Sequence, residues 1–281
     1  MSKVDIAGLK VDAISKAEFL EEISQRLAAG RRTFVVTAYS EFLFRGLKRP
    51  DVLAMLNGAD FILADGIGLL WAKRYLDLAL TAGSRFGKAL QAAWQLCYTL
   101  AAVLLCPSWI KIALPEKIPG ADLVWDLAGL AAGSGRSVYL LGGFGDTPDR
   151  AAAKLAGRYP GLRLAASAKN PDDPTVLADI SAARPDILLV AYGPIVQEQW
   201  IAAHLPGLPV KLAIGLGGTF DYLAGRAAAP PRALRRIGLE WLWRLLTQPW
   251  RLKRIWQATA GLAGQLAGYK IKMAGSSGQI G

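Results

Sequence analysis

Histidine and cysteine are nearly absent from this 281-residue sequence, which contains one histidine and two cysteines. The histidine, His204, suits a surface or core position, and both cysteines, Cys97 and Cys106, lie in an uncharged apolar run. Neither a Cys-x-x-Cys nor an Asp-x-Asp motif occurs. A dedicated metal site is therefore not expected, and cysteine usage predicts a reducing compartment. We also expect no organic cofactor.

Three further absences narrow the functional class. The N-terminal stretch lacks the apolar core of a signal peptide, which favours a cytosolic protein. The first predicted strand is followed by no Gly-x-Gly-x-x-Gly motif and by no ribose-binding acid about 20 residues later, which disfavours a nicotinamide-dependent oxidoreductase. No low-complexity linker divides the chain, so one main domain is expected.

Positive charge is abundant and concentrated. The chain combines a formal net charge of +11 with a mean hydropathy of +0.27 and a pI near 9.8. Residues 226–254 contain eight Lys or Arg and one acid, Glu240, and supply +7 of the total. Arginines alternating with Leu and Trp at helical spacing favour an amphipathic helix over a nucleic-acid-binding module. Apolar and basic character together indicate an anionic membrane surface as partner, and not nucleic acid.

Short apolar runs recur along the chain, and a helix-length segment separates each from the next. Such runs are typical of parallel strands that are buried on both faces. The alternation predicts an α/β fold with a doubly wound, mainly parallel, Rossmann-like sheet, preceded by a strand pair or edge strand within residues 3–11. The predicted sheet strands are 33–37, 61–64, 137–141, 162–166, 187–192 and 210–214.

Residues 89–110 form a run of 22 residues without charge, long enough to span a bilayer. A single crossing would place strands of one predicted sheet on opposite sides of the membrane, so it is excluded. A re-entrant hairpin broken near Pro107 fits better, as does a helix in the interface with Trp94 and Trp109 at headgroup depth. A helix buried against the core or a dimer partner stays as the alternative.

Candidate ligand-binding residues follow several of the predicted strands. Asp65 comes directly after strand 61–64, at the edge of a parallel sheet where ligands bind, although it could also simply cap the next helix. The glycine turn at 142–145 leads into a helix and suits an anion, because free backbone N–H groups converge there. Gln197 and Glu198 lie near the same edge and, taken singly, are ordinary first-turn residues.

Taken in order, these features resemble the WecG/TagA/CpsF glycosyltransferases, the bacterial N-acetylmannosaminyltransferase family (glycosyltransferase family 26). The resemblance covers residues 6 to about 256 and is interrupted by an insert over about 76–115, which contains the uncharged run. The resemblance and the uncharged run together predict a core over 1–230 with a membrane-associating helical insert at about 77–115, and a basic helical appendage with a flexible tail over 231–281. The matching motifs are Thr37, Asp65-Gly66-Ile67-Gly68, Leu140-Leu141-Gly142-Gly143, Pro185-Asp186, Gln197-Glu198 with Trp200, Gly217-Gly218-Thr219-Phe220-Asp221 with Ala224-Gly225, and Gly238-Leu239-Glu240-Trp241 with Arg244.

The resemblance implies an inverting, metal-independent transferase that moves a sugar from a UDP-sugar to a sugar linked through diphosphate to undecaprenol. Asp65 matches the residue that looks like the family's base. The implied donor-binding residues are Thr37, Gly142, Gly143, Gln197, Glu198, Gly217, Gly218 and Asp221. The implied acceptor diphosphate-binding residues are Lys117, Arg244, Arg251 and Arg254. Arginine suits this role because its planar fork holds phosphate bidentately and remains charged.

The sequence also departs from the family pattern. Tyr39 stands where the family's Thr-x-Asn has Asn, and Ala229 replaces a basic residue. These changes leave the donor open between an N-acetylmannosamine type and a glucose type, and they keep a non-catalytic, membrane-associated homologue as the alternative. The expected location is the cytoplasmic face of the bacterial inner membrane, peripheral or monotopic, in cell-surface polysaccharide synthesis. Association between copies of the chain stays open.

Overall fold

The computed structural model describes residues 2–228, 231, 234, 240–247, 252 and 256–276. Six parallel strands form one sheet in the order β4-β3-β8-β7-β5-β6, and an antiparallel pair, β1 and β2, lies outside it. Each of the six predicted runs forms one strand of this sheet. The strands are β1 Lys3–Ile6, β2 Leu9–Asp12, β3 Thr33–Ala38, β4 Phe61–Ala64, β5 Ser137–Gly142, β6 Arg163–Ser167, β7 Ile187–Ala191 and β8 Leu212–Gly215.

Helices connect the strands and cover both faces of the sheet. The helices of the described ranges are α1 Lys16–Ala28, α2 Ser40–Lys48, α3 Pro50–Asn57, α4 Ile67–Asp77, α5 Arg85–Leu105, α6 Pro107–Lys111, α7 Gly120–Gly133, α8 Thr147–Arg158, α9 Val176–Ala183, α10 Val196–His204, α11 Thr219–Leu223, α12 Glu240–Thr247 and α13 Leu262–Ser276. A short 3-10 helix, Leu205–Gly207, follows α10, and a π-helical turn, Gln257–Gly261, precedes α13.

Two hydrophobic clusters lie on opposite faces of the sheet. Successive residues of a strand point to opposite faces, and accordingly Val36 belongs to one cluster and its neighbour Val35 to the other. Both side chains are fully buried. Burial on both faces explains why the strands are continuous apolar runs, and the prediction of a doubly wound parallel sheet is confirmed.

Local sequence signals set several helix ends. The Ser15 side chain accepts from the N–H of Glu18, whose carboxylate accepts from the N–H of Ser15, so a capping box starts α1. Gly30 follows the end of α1 with φ +67°, a left-handed conformation that favours glycine. Pro50 ends the preceding helix and occupies the first turn of α3, where its missing N–H costs nothing.

The uncharged run 89–110 forms most of the 21-residue helix α5, which begins at Arg85, and most of the single turn of α6, which begins at Pro107. The predicted break at Pro107 is therefore present, but the segment is not a hairpin with two comparable arms. One face of α5 packs against α4 and α13, and the opposite face is exposed. Among the helices of the described ranges, none is long and apolar enough to cross a membrane.

The last described helix, α13, packs against the core. Helix α13 packs against α2, α4 and α5, and a Cβ atom on Gly261 would lie 2.8 Å from the Phe44 ring. The predicted boundary between residues 230 and 231 involves a residue outside the described ones. The flexible tail is expected over about the last eight residues; of these, 274–276 belong to α13, and 277–281 lie outside the described residues. The basic segment between them is described only in part, chiefly as helix α12.

Candidate active site

Most of the candidate residues follow the carboxyl ends of five neighbouring strands. Asp65 comes after β4, Thr37 lies near the end of β3, and Gly217 comes shortly after β8. Gln197 follows β7 after a short loop, and Gly142 ends β5. With neighbouring strands roughly 4.8 Å apart, the ends of β4 and β5 are separated by about 19 Å. The candidates thus line an extended edge, where ligands of open α/β sheets bind.

Asp65 and Thr37 converge beside the first residue of α7. A Cβ atom placed on Gly120 would lie 3.4 Å from Thr37 Oγ1 and 3.5 Å from Asp65 Oδ2. The Thr37 hydroxyl is buried and donates to the carbonyl oxygen of Gly215 at 2.8 Å, which joins β3 to β8 near the site. The Asp65 N–H donates to the Ala38 carbonyl at 2.8 Å. The amino end of α7 favours a negatively charged group at this place.

Gln197 and Glu198 form a buried hydrogen-bond chain beneath the edge. Gln197 Nε2 donates to Glu198 Oε1 at 2.7 Å, and Gln197 Oε1 accepts from the N–H of Gly217 at 3.0 Å. The other carboxyl oxygen of Glu198 accepts from the N–H of Ile195 at 2.6 Å. Both side chains are almost inaccessible to solvent. The pair therefore ties the loop after β7 to the loop after β8.

Burial raises the pKa of the Glu198 carboxyl group. Desolvation raises the pKa of its carboxyl group from 4.5 to about 7, against the lowering effect of the hydrogen bonds from Gln197 and Ile195. The nearby carboxylate of Glu41 raises this pKa further. A Cβ atom on Gly215 would lie 2.3 Å from Glu198 Oε1 and 2.5 Å from Gln197 Nε2, so any larger residue at the end of β8 must displace this pair.

The glycine turn after β5 is flanked by two hydroxyl groups that sequence reasoning missed. Gly142 and Gly143 have φ of +93° and +88°, and a Cβ atom on Gly142 would lie 2.8 Å from the Tyr192 ring. Tyr192 Oη and Thr147 Oγ1 are buried and have no hydrogen-bond partner in the part of the chain that the structure describes. Burial raises the pKa of the Tyr192 phenol above its ordinary range. Two signals could have identified them: Tyr192 directly follows a strand, and Thr147 begins the helix after the turn.

Gly218, Asp221 and Arg226 lie around helix α11. Gly218 is the N-cap of α11, and Asp221 lies in its first turn. The Asp221 carbonyl accepts from the N–H groups of Arg226 and Ala227, which closes the turn after the helix. The Arg226 guanidinium pairs with Asp146 beside the glycine turn and lies 3.7 Å from a Cβ position on Gly145. One residue of the basic segment thereby reaches the candidate site.

The remaining predicted basic residues are described to different extents. The Ile118 N–H donates to the carbonyl oxygen of Ala64 at 2.8 Å, so Lys117 lies beside the end of β4 that precedes Asp65. Arg244 belongs to α12, but its side chain is outside the described part. Arg251 and Arg254 also lie outside the described residues.

Asp186, part of the Pro185-Asp186 motif, lies at the opposite edge of the sheet. Its carboxylate accepts from the backbone N–H of Ser137 at 3.0 Å and from Lys211 Nζ at 2.8 Å. Burial would raise the pKa of this carboxyl group, but the bonds from Lys211 and Ser137 outweigh it and lower the pKa to about 2. This motif residue joins the amino ends of β5, β7 and β8, away from the candidate site.

Within the described ranges, the candidate site residues coincide neither with a possible metal site nor with the cavity beside α2 and α3. Across the described residues, no group of three His, Cys, Asp or Glu side chains could hold a metal ion. A cavity of about 570 Å³ lies between α2, α3 and the π-helical turn. It contains none of the predicted site residues. Its lining residues are Phe44, Arg45, Lys48, Arg49, Val52, Ile195 and Gln257.

Sequence comparison connects this geometry to known proteins. The N-acetylglucosaminyldiphosphoundecaprenol N-acetyl-beta-D-mannosaminyltransferase of Bacillus subtilis (strain 168) is 27% identical over 242 residues, which is 85% of this chain and 80% of that protein. The enzyme of the same name from Staphylococcus aureus (strain MRSA252) is 27% identical over 258 residues, covering 90% of this chain and 88% of the relative. The model of the glycosyl transferase WecG/TagA/CpsF family matches residues 4–84 and 78–275, and the chain therefore belongs to this family.

Proposed function

We propose that this glycosyltransferase moves a sugar from a UDP-sugar to a sugar carried on undecaprenyl diphosphate, with inversion at the anomeric carbon and without a metal ion. The relatives from Bacillus subtilis and Staphylococcus aureus are named for transfer of N-acetylmannosamine to N-acetylglucosaminyl-diphosphoundecaprenol, which supports this acceptor class. The donor is of the N-acetylmannosamine or the glucose type. The proposed location is the cytoplasmic face of the bacterial inner membrane, in cell-surface polysaccharide synthesis.

The observation that carries the proposal is the convergence of Asp65 and Thr37 at the amino end of α7. In the proposed reaction an acceptor hydroxyl attacks the anomeric carbon of the donor sugar, and its proton passes to the Asp65 carboxylate. The bond between the anomeric carbon and the diphosphate oxygen breaks, and UDP leaves with that electron pair. One displacement of this kind inverts the anomeric configuration.

The donor would lie along the edge between β4 and β5, with its sugar near Asp65 and its nucleotide toward the glycine turn. The turn at Gly142 and Gly143 would bring its backbone to the donor there, and the buried hydroxyls of Tyr192 and Thr147, which have no partner among the described residues, lie beside this turn. Gln197 and Glu198 would act indirectly, by holding in place the loop that contains Gly217, Gly218 and Asp221. This assignment makes the two buried side chains positioning residues.

Stabilisation of the leaving UDP and of the acceptor diphosphate is assigned to basic side chains, because preorganised positive charge can replace a metal ion in this role. We propose Lys117, Arg244, Arg251 and Arg254 for it. In this proposal residues 1–230 form the catalytic core, and the basic segment after residue 230 is an appendage that closes over the substrates.

The test is a transfer assay with a panel of UDP-sugars and a short-chain N-acetylglucosaminyl-diphosphoprenol acceptor, analysed by mass spectrometry. Asp65→Asn should lower turnover by about 10³-fold or more, because the general base is lost, while UDP affinity stays within about twofold. Unaltered turnover in this variant would refute the assignment of the base. NMR of the product reports the anomeric configuration, and activity in EDTA tests metal independence. If the wild-type protein transfers no sugar from any donor, the non-catalytic homologue is favoured.

A further inference from the structure

Helix α5 has an unusual distribution of polarity, with an apolar side facing outward. Large side chains along this side are strongly exposed: Phe86 by 80%, Leu90 by 65% and Trp94 by 68%. Near the end of the helix, Leu104 and Leu105 are exposed by 55% and 85%. The stripe of apolar residues, spaced by three or four positions, consists of Phe86, Leu90, Trp94, Cys97, Ala101 and Leu104. We call these six residues the α5 stripe.

Polar side chains hold the opposite side of α5 against the protein. Gln95 Nε2 donates to the Ala79 carbonyl at 2.8 Å, and Gln95 Oε1 accepts from Lys270 Nζ at 2.6 Å. One turn further on, the Thr99 hydroxyl accepts from Trp71 Nε1 at 3.1 Å. Both Gln95 and Thr99 are buried. These hydrogen bonds fix the rotation of the helix about its axis, so the α5 stripe cannot turn inward without breaking them.

The surroundings of the α5 stripe match an anionic lipid surface. Residues 78–115 contain no Asp or Glu, and their charged residues are Arg85, Lys88 and Lys111. Trp94 and Trp109 flank Tyr98 with ring centroids 6.2 and 6.4 Å from it. The Lys88 ammonium donates to the Ala274 carbonyl at 3.0 Å, and the segment as a whole is positively charged. Amphipathic aromatic rings beside an apolar face in a positively charged segment are characteristic of helices that lie in a membrane interface.

We propose that the α5 stripe is a membrane-docking surface that lies flat in the headgroup region of an anionic bilayer. This inference deepens the proposed function, because an undecaprenyl-linked acceptor is held in such a bilayer. A symmetric contact between two copies is disfavoured by charge. It would bring together two segments, each with basic residues and no acid between positions 78 and 115. Anionic lipid neutralises this charge, whereas a second copy would add to it.

The test compares the unsubstituted 281-residue chain with Leu90→Glu in flotation with phosphatidylcholine vesicles that contain about 30% phosphatidylglycerol. The substitution removes apolar contact and adds a charge that the lipids repel, so the partition coefficient should fall at least about tenfold. Leu177→Glu is the matched control, because Leu177 is an exposed leucine of α9 (39%) away from the insert. Its partition should equal that of the wild type. Phe86→Ser, a smaller change on the same stripe, provides a second variant if Leu90→Glu unfolds the protein.

Two results would overturn the proposal. One is equal vesicle binding by Leu90→Glu and the wild type. The other is loss of a dimer in sedimentation analysis with vesicle binding unchanged, which would assign the α5 stripe to a second copy. The docking proposal and the proposed chemistry can fail separately. Asp65→Asn should lose turnover but still float with vesicles. If both proposals hold, Leu90→Glu keeps turnover with a water-soluble acceptor and loses it with a vesicle-bound one.

Discussion

The backbone N–H of Ile195 donates to Oε2 of Glu198 at 2.6 Å, and this contact joins a strained residue to a buried acid. Ile195 has φ +71°, which β-branched residues rarely adopt and which costs about 1–3 kcal/mol. The surrounding structure must enforce such a conformation. Through Gln197, the same carboxyl group also holds Gly217, so one buried side chain controls two loops of the candidate site.

The first prediction is that Glu198→Gln changes the pH dependence of stability. Because the folded-state pKa is raised from 4.5 to about 7, the folded protein binds a proton between these values that the unfolded chain releases. The free energy of unfolding of the wild type should therefore fall as pH rises through this window, by about 3 kcal/mol relative to the variant. Urea unfolding at pH 5 and pH 7.5 measures the difference. Parallel curves for the two proteins would contradict the prediction.

The second prediction concerns Gly215→Ala. The new methyl group would overlap the carboxyl group of Glu198 and the amide of Gln197, so this pair must move and release the N–H of Gly217. We expect a loss of about 1–3 kcal/mol in stability, as for overpacked cores, and at least a tenfold weaker affinity for UDP. Calorimetry with UDP and thermal unfolding measure the two effects.

Gly157→Ala is the matched control for that substitution. Gly157 lies within α8, and a Cβ atom there has no neighbour within 4 Å. Alanine should stabilise the helix by up to about 1 kcal/mol and leave UDP affinity unchanged. If Gly215→Ala left stability and UDP affinity unchanged as this control does, Gly215 would not lie as close to Glu198 and Gln197 as the structure shows.

Much of the fold could be predicted from the sequence, because the strands are buried on both faces. Burial of that kind requires a continuous apolar run, and residues 33–37 and 61–64 carry this signal without tertiary information. The position of Asp65 at the carboxyl edge follows from the same pattern. The orientation of α5 does not, since it depends on Gln95 meeting Lys270, 175 residues later in the chain.

The candidate site could be predicted less completely from the sequence, because burial and hydrogen bonds depend on tertiary contacts. Gln197 and Glu198 are polar residues near a ligand-binding edge, and local pattern cannot show that both are buried and bonded to each other. Tyr192 meets the glycine turn only because β7 lies beside β5 in the sheet, whereas Thr147 follows the turn directly and only its complete burial escapes a local pattern. The role of Tyr192 therefore depends on a neighbour that is distant in sequence.

The third prediction is that Tyr192→Phe and Thr147→Val weaken UDP binding. Each change removes a buried hydroxyl that has no partner within the described ranges, so little stability should be lost. If the donor supplies the partner, each variant loses one hydrogen bond and binds UDP about 2–10-fold more weakly. Isothermal titration calorimetry measures the affinity, with Tyr139→Phe, on the neighbouring strand β5, as the control. Unchanged affinity in both variants would remove these residues from the donor site.

The final prediction is a coupling between Gln95 and Lys270. The Lys270 ammonium is buried, donates to Gln95 Oε1 and to the carbonyl of Tyr75, and lies 4.2 Å from the centre of the Tyr75 ring. Burial lowers the pKa of this amine to about 8. Gln95→Leu removes an acceptor from a buried cation, whereas Lys270→Met leaves acceptors without a donor, so each single change should destabilise the protein.

The double variant should lose less than the sum of the two single variants, because an apolar pair replaces both partners. A coupling energy of about 1–3 kcal/mol is expected from urea unfolding. Gln91→Leu is the matched control on the same helix: its amide oxygen accepts from the N–H groups of Thr81 and Ala82 and does not bond Lys270. Its effect should add to that of Lys270→Met within about 0.5 kcal/mol. If the effects of Gln95→Leu and Lys270→Met also added, the bond between Gln95 and Lys270 would not fix the rotation of α5. The outward orientation of the α5 stripe would then rest on one observation fewer.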